Sequence, residues 1–219
     1  MCIRDRSSNL VDYIDGADIL LNQFLEGDLL AGDGRAYGLE LQLKKEKGRF
    51  TGWVSYTLAR TELKVEGING NDWYPSRFDQ LHNVSISAFY ELTDRWSLSG
   101  NFTYVTGTPV TFPTSRFEVG PYVIPHNAND VRNNARIPDY HRLDLGATWV
   151  GKNKDNKKWS DEWVFSIYNV YNRRNPFSIF FRQQEDRVLP GANVNTEAVQ
   201  LSVIGSFIPS VSYNFKFKK

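Results

Sequence analysis

Apolar and polar side chains alternate one for one over long stretches of the chain. Tyr37, Leu39, Leu41 and Leu43 alternate with Gly38, Glu40, Gln42 and Lys44. Phe50, Val54, Tyr56 and Leu58 alternate with Thr51, Ser55 and Thr57. The same pattern recurs at Val84, Ile86, Ala88, Tyr90 and Leu92, then at Trp96, Leu98, Phe102 and Tyr104. It returns at Leu143, Leu145, Ala147 and Trp149, starts again at Trp163, Phe165 and Ile167, and closes with Val211, Tyr213, Phe215 and Phe217. A shorter run at Leu10 to Ile14 predicts an eighth strand. Successive side chains of a strand point to opposite faces, so this period of two predicts strands with one apolar and one polar side. Helical periodicity is sustained nowhere, and the expected fold class is all-β and antiparallel.

The connections also alternate, between short and long. Residues 45–48 and 93–95 form tight turns, and 151–161 a moderate, lysine-rich one. Residues 16–34, 62–76, 107–138 and 182–195 form long connections. Short turns at one end and long loops at the other are the habit of transmembrane β-barrels. A soluble β-sandwich or barrel with its apolar faces turned inward is the competing reading, but it predicts no such parity. Aromatic placement adds a second signal. Phe50, Trp96, Trp149, Trp163 and Phe217 sit on the apolar side near the short-turn end or the chain end, where a membrane–water interface selects amphipathic rings. Tyr37, Tyr56 and Tyr104 lie towards the other end and predict a second girdle, whereas Trp53 falls on the polar side.

Composition narrows the classes. The 219 residues carry a net charge of +1 and 14% aromatics, so the charge balance does not suggest nucleic acid. Mean hydropathy is −0.46, and no window approaches the roughly 18 apolar residues of a spanning helix. Cys2 is the single cysteine, which excludes a disulfide framework, a zinc cluster or a CxxC redox site built within the chain. No apolar run follows Met1, so residues 1–8 are expected to be a disordered or artefactual N-terminus, with residues 9–217 the β domain and 218–219 a basic tail. His82, His126 and His141 are scattered and flank no nucleophile pattern, so neither enzyme activity nor a cofactor is expected, and His82 and His141 read as lumen or rim residues. Asn127 to Asp130 offers oxygen ligands for calcium, although a polar turn explains it better, as it does Asn69 to Asp72; no metal site is expected. The basic turn Lys152 to Lys158 reads as solvated rather than as a headgroup contact.

Several segments resemble the C-terminal half of TonB-dependent outer-membrane receptors, especially of the Bacteroidetes type. Gly34-Arg35-Ala36-Tyr37-Gly38-Leu39-Glu40-Leu41 resembles the family's glycine-rich bend before an alternating strand, and Gly52 to Arg60 its next strand. Trp73-Tyr74-Pro75-Ser76-Arg77-Phe78-Asp79-Gln80-Leu81-His82 resembles a loop-to-strand segment of the same subgroup. Pro138 to Leu145, Ser166 to Pro176 and Pro209 to Phe217 resemble its last strands, although Lys218 and Lys219 follow where members usually end on the aromatic. The resemblance implies about seven or eight strands of a likely 22-stranded plugged barrel, with the native N-terminus, the plug and the remaining barrel absent from this sequence. It implies import of a scarce nutrient, with outer-membrane lipid, the TonB complex (through the missing part) and the barrel-assembly machinery as partners. Tyr213, Phe215 and Phe217 resemble the assembly signal, and the loop residues Trp73, Tyr74, Arg77, Phe112, Arg116 and Tyr122 are candidates to face the ligand. A small structural or adhesive outer-membrane barrel without a plug is the alternative.

Overall fold

The computed structural model describes residues 2–13, 29–119, 122–126, 131–151, 159–183 and 196–217. Its strands in chain order are β1 (Cys2–Tyr13), β2 (Leu29–Lys45), β3 (Phe50–Val65), β4 (Tyr74–Pro75), β5 (His82–Glu91), β6 (Trp96–Val105), β7 (Pro109–Val110) and β8 (Ser115–Val119). They continue as β9 (Tyr122–His126), β10 (Ala135–Arg136), β11 (Tyr140–Val150), β12 (Trp159–Tyr168), β13 (Ser178–Gln183), β14 (Thr196–Leu201) and β15 (Ile208–Phe217). The protein is therefore all-β. β1, β2, β3, β5, β6, β11, β12 and β15 pair in that order as one antiparallel sheet, and β4 adds to β3. The pairs β7–β10, β8–β9 and β13–β14 form three separate two-stranded ribbons.

The parity read from the sequence is present. Residues 46–49, 92–95 and 151–158 join sheet neighbours at one end; 14–28, 66–81, 106–139 and 169–207 join them at the other. Two expectations need correction. The N-terminal residues are not a disordered tail: β1 begins at Cys2, opposite Leu39, and the ladder runs to Tyr13 opposite Leu29. The segments 107–138 and 182–195 flank or contain ribbon strands that the alternation did not signal. The sheet is open: among the described residues β1 pairs only with β2 and β15 only with β12.

The register keeps every apolar side on one face. One cross-strand row reads Leu43, Val54, Ile86, Phe102 and Leu143. The next towards the long loops reads Leu41, Tyr56, Val84, Tyr104 and His141. The opposite face carries rows such as Gln42, Ser55, Ser85, Thr103 and Arg142. Among the described residues no second layer covers the apolar face: Leu43 is 75% exposed, Val211 60% and Phe165 41%. Total accessible surface is 15598 Å², against ~10,300 Å² expected for a folded soluble protein of this mass. The buried apolar core among the described residues is Val65, Ile68 and Tyr74, at the long-loop end, with Leu30 and Leu63 against it.

The ends of the sheet slide along the strands. Phe50, which opens β3, lies in the row that continues through Tyr90, Leu98, Ala147 and Phe165 to Val211. β15 does not end at Val211 but runs on to Phe217. Over five strand-to-strand steps the boundary thus moves by six residues, about 4 Å along the strand for each ~4.8 Å across, a slant of about 40°. That lies within the 35–45° tilt of membrane barrels.

Gly52 pairs with Lys45 and Ala88 where this slant begins. Its φ is +150°, and a Cβ there would run into the carbonyl oxygen of Ser87. Replacing Gly52 by Ala is expected to destabilise the sheet by about 1–3 kcal/mol, read as a lower urea midpoint of the chain folded in detergent micelles.

Candidate functional site

The apolar face carries two aromatic borders. Near the short turns, Trp96 pairs with Trp149, Trp149 with Trp163 and Trp163 with Tyr213, so four rings stand in one row. Phe50, grouped with them from sequence, lies on the adjacent row towards the loops, as the slant requires. The Trp163 and Tyr213 ring centroids are 4.9 Å apart, and Phe215 and Phe217 continue the ladder at 6.1 and 5.7 Å spacings. Cations top this border: the Arg95 guanidinium lies 4.8 Å from the Trp149 ring and the Lys45 ammonium 5.7 Å from Phe50. Amphipathic rings capped by snorkelling cations suit a boundary between hydrocarbon and water.

At the other end of the same face the rings carry polar tips, and each tip has a partner. The Tyr56 hydroxyl is 3.0 Å from Nδ1 of His82, and the Tyr104 hydroxyl donates to Asp139 at 2.6 Å. His141 Nδ1 is 2.7 Å from the Tyr171 hydroxyl. Both histidines fall at the loop end of the sheet, on its apolar face.

The polar face holds a cluster that sequence reading missed. Arg142 donates to Asp144 at 2.9 Å, to the Tyr140 hydroxyl at 2.8 Å and to the Tyr168 hydroxyl at 2.7 Å, and its guanidinium lies over the Tyr168 ring. Asp144 also accepts the backbone N–H of Asn169. Asn169 and Asn172 have positive φ, tolerated by asparagine, and their turn ends β12 and redirects the chain. The spacing Tyr140, Arg142, Asp144 places three polar groups on one side of a strand, which was the available signal. Trp53 is on this polar side, as its position in the alternation implied, with its ring 6.0 Å from Phe89.

The long-loop end is held by charge. Arg35 binds Glu62 at 2.7 Å, Arg60 also reaches Glu62 at 3.2 Å, and Arg60 approaches Asp79 at 3.7 Å. Arg136 closes on Asp79 from the next long loop and donates to the carbonyls of Asp79 and Gly107. The Asp79 side chain is fully buried and also accepts the Thr61 N–H, so this carboxylate ties β3 to two loops. Asn69 exchanges two hydrogen bonds with the backbone of Arg132, and Asn133 donates to the Pro75 carbonyl. Residues Asn69–Asn71 form a 3-10 turn, in line with the turn reading of that segment.

The six candidate ligand residues do not form one site. Tyr74 is 4% exposed and packs with Val65 and Ile68, so it is a loop-core residue and not a ligand contact. Its hydroxyl reaches Asp12 at 3.3 Å, and burial together with that carboxylate pushes the hydroxyl pKa up. Trp73 stacks on Arg35 at 4.2 Å and Arg77 lies beside Phe78. Phe112 and Arg116 do come together: with Pro113, Phe181 and Ala198 they line a recess of about 430 Å³ between two loop segments. Phe112 and Phe181 meet edge to face at 4.9 Å, and Asn134 brackets the Phe112 backbone with two hydrogen bonds. Tyr122 opens β9 opposite Val119. Among the described residues no three His, Cys, Asp or Glu side chains converge as metal ligands. The Asn127 to Asp130 segment and the Lys152 to Lys158 turn lie outside the described residues.

The chain matches no protein-family model, no curated protein and no solved structure.

Asp139 joins the rim to its loop, since its two oxygens accept from Tyr104 and from the Gly107 N–H. The Tyr104 hydrogen bond, then the Gly107 bond, hold its carboxyl below the usual aspartate range. A depressed folded pKa stabilises above the unfolded value and is lost as pH falls through the folded one. Amide exchange at Thr106 and Gly107 is therefore expected to stay slow until the pH drops below the ordinary aspartate range, then accelerate. Asp139→Asn should remove that acid step and leave faster exchange at neutral pH.

Proposed function

We propose that the chain is a sector of the wall of an outer-membrane β-barrel of the TonB-dependent receptor kind, which binds a scarce nutrient outside and imports it. The observation that carries this reading is the uncovered apolar face bordered at both ends by aromatic rings. A surface of that composition is stable against hydrocarbon and costly against water. The slant of about 40° and the loop parity support it, because both follow from closing tilted strands into a ring. On this reading the eight-strand sheet is one arc. The backbone groups of its β1 and β15 edges are met by strands of the same protein outside this sequence, since lipid tolerates no unpaired backbone.

The division of labour follows from the faces. The apolar face meets the lipid of a Gram-negative outer membrane. The polar face, with Arg142, Tyr140, Tyr168 and Asn101, lines a water-filled interior that a plug occupies. The cross-linked long loops face outward, and the Phe112–Phe181–Arg116 recess is the candidate ligand contact among them. The barrel-assembly machinery reads the terminal aromatics Tyr213, Phe215 and Phe217, and the TonB complex acts through the part of the protein that precedes this sector. No residue of the chain is assigned a catalytic role.

A plugless structural barrel would share the apolar face. The bulky interior residues Trp53, Phe89 and Arg142 fit it less well when an eight-strand ring must hold them all.

An arginine scan tests the sidedness. At the middle of the apolar face, Ile86→Arg is expected to cost about 2–4 kcal/mol in lipid vesicles, whereas Ser85→Arg on the other face should cost under ~1 kcal/mol. The readout is the free energy of unfolding from vesicles in denaturant. Equal costs at the two neighbouring positions would remove the basis for the reading.

A further inference from the structure

Above the loop-side border, the apolar face turns abruptly cationic. Arg4 pairs with Tyr37 and Tyr37 with Arg60, so an arginine flanks the tyrosine on each side of one row. The next row sets Arg6 beside Arg35 and Arg35 beside Glu62. Period two keeps these rows on the side that carries Leu39 and Leu58 one step below. Arg35 and Arg60 share the single carboxylate of Glu62, and the second carboxylate near Arg60, that of Asp79, is already closed on by Arg136. Arg6 lies near Asp33 at 3.7 Å, with both side chains well exposed. Cation therefore exceeds anion along this rim.

Directly below the arginines is a shallow depression of about 470 Å³, lined by Tyr37, Leu39, Leu58, Arg60 and Leu81 over the backbone of Gly38 and Ala59. Its lining is overwhelmingly apolar, and Tyr37 and Leu58 are 46% and 36% exposed. The Trp73 ring stacks on Arg35, which stands one row above Tyr37. An apolar trough edged by Arg60, with Arg4 and Arg35 at neighbouring register positions, is complementary to an amphiphile with an anionic head. Three arginines within one row of the trough favour phosphate, whose several oxygens accept forked donors, over a single carboxylate.

We propose that this rim binds a phosphate-bearing lipid, with an acyl chain along Leu39 and Leu58 and the phosphate held by Arg4, Arg35 and Arg60. The site rests on the membrane-wall reading and adds to it a defined lipid class and position. It gives the wall a chemical distinction between its two borders: cations over tryptophan and phenylalanine rings at the short-turn side, and a phosphate seat at the loop side.

The test uses the full chain folded in zwitterionic detergent, titrated with phosphatidic acid or phosphatidylcholine bearing the same brominated acyl chains. The signal is quenching of Trp73 fluorescence, isolated by difference from Trp73→Phe. Phosphatidic acid is expected to quench at a mole fraction lower by about five-fold for each arginine engaged. Arg35→Gln combined with Arg4→Gln should bring the two lipids together. Arg4→Gln alone, on an exposed edge-strand residue that leaves the Arg35–Trp73 stack in place, should give a partial loss. Equal quenching by both lipids, or a preference that survives Arg4→Gln and the double change, overturns the phosphate site while leaving the membrane wall intact. Quenching of no tryptophan by either lipid, Trp96, Trp149 and Trp163 included, overturns the wall reading and this site with it.

Discussion

The antiparallel ladder governs everything else in this molecule. Each backbone N–H and C=O inside the sheet is answered by a neighbouring strand, and the same geometry sends alternate side chains to opposite faces. A one-residue slip at any of the seven strand pairings would exchange the faces of every strand beyond it. The continuity of the Leu43–Val54–Ile86–Phe102–Leu143 row shows that the β2 to β11 pairings are in phase. The row of Trp96, Trp149, Trp163 and Tyr213 extends the same phase to the last strand. Stability here does not come from a dry centre. It comes from backbone pairing, and among the described residues the apolar face is left without a second layer.

Charged groups gather at both ends of the apolar face. The short-turn border uses Arg95 and Lys45 over rings. The loop end uses the Arg35–Glu62–Arg60–Asp79–Arg136 chain, in which a fully buried carboxylate is answered by two cations and a backbone N–H. Breaking one member of such a chain leaves an uncompensated charge, so it holds loops in place more than it adds net stability. One of the loops so fastened carries Phe112, whose ring meets Phe181 edge to face beside the recess.

The strands were legible because their two faces meet different surroundings. The run from Val84 to Leu92 and the run from Trp96 to Tyr104 correspond to β5 and β6 within a residue or two. β13 was not legible: Ser-Ile-Phe-Phe-Arg-Gln has no alternation, and it is a strand only because Thr196–Leu201 pairs with it. The upper half of β2 was hidden by Gly32 and Gly34, which interrupt the pattern and have no side chain to show a face. Tyr74 looked like an exposed loop aromatic; its burial depends on pairing with Leu63 beside Val65, which sequence spacing does not announce. The Arg142 cluster was half visible, in Tyr140, Arg142 and Asp144, and half supplied by Tyr168 from the adjoining strand.

β2 and β3 have 17 and 16 residues, where β5 and β6 have 10 each. Some eight residues of β2, Leu29 to Ala36, stand beyond the Tyr37 border, which at ~3.3 Å each and a tilt of about 40° lifts the ribbon roughly 20 Å above that border. The proposed wall is therefore lopsided: a two-stranded mast, stiffened by β1 on one flank and by the Val65–Ile68–Tyr74 knot at its root, rises over a low parapet formed by β5, β6 and β11. The loop end of the sheet is thereby stepped, and a molecule reaching it along the strand direction meets the β2–β3 extension before the shorter strands.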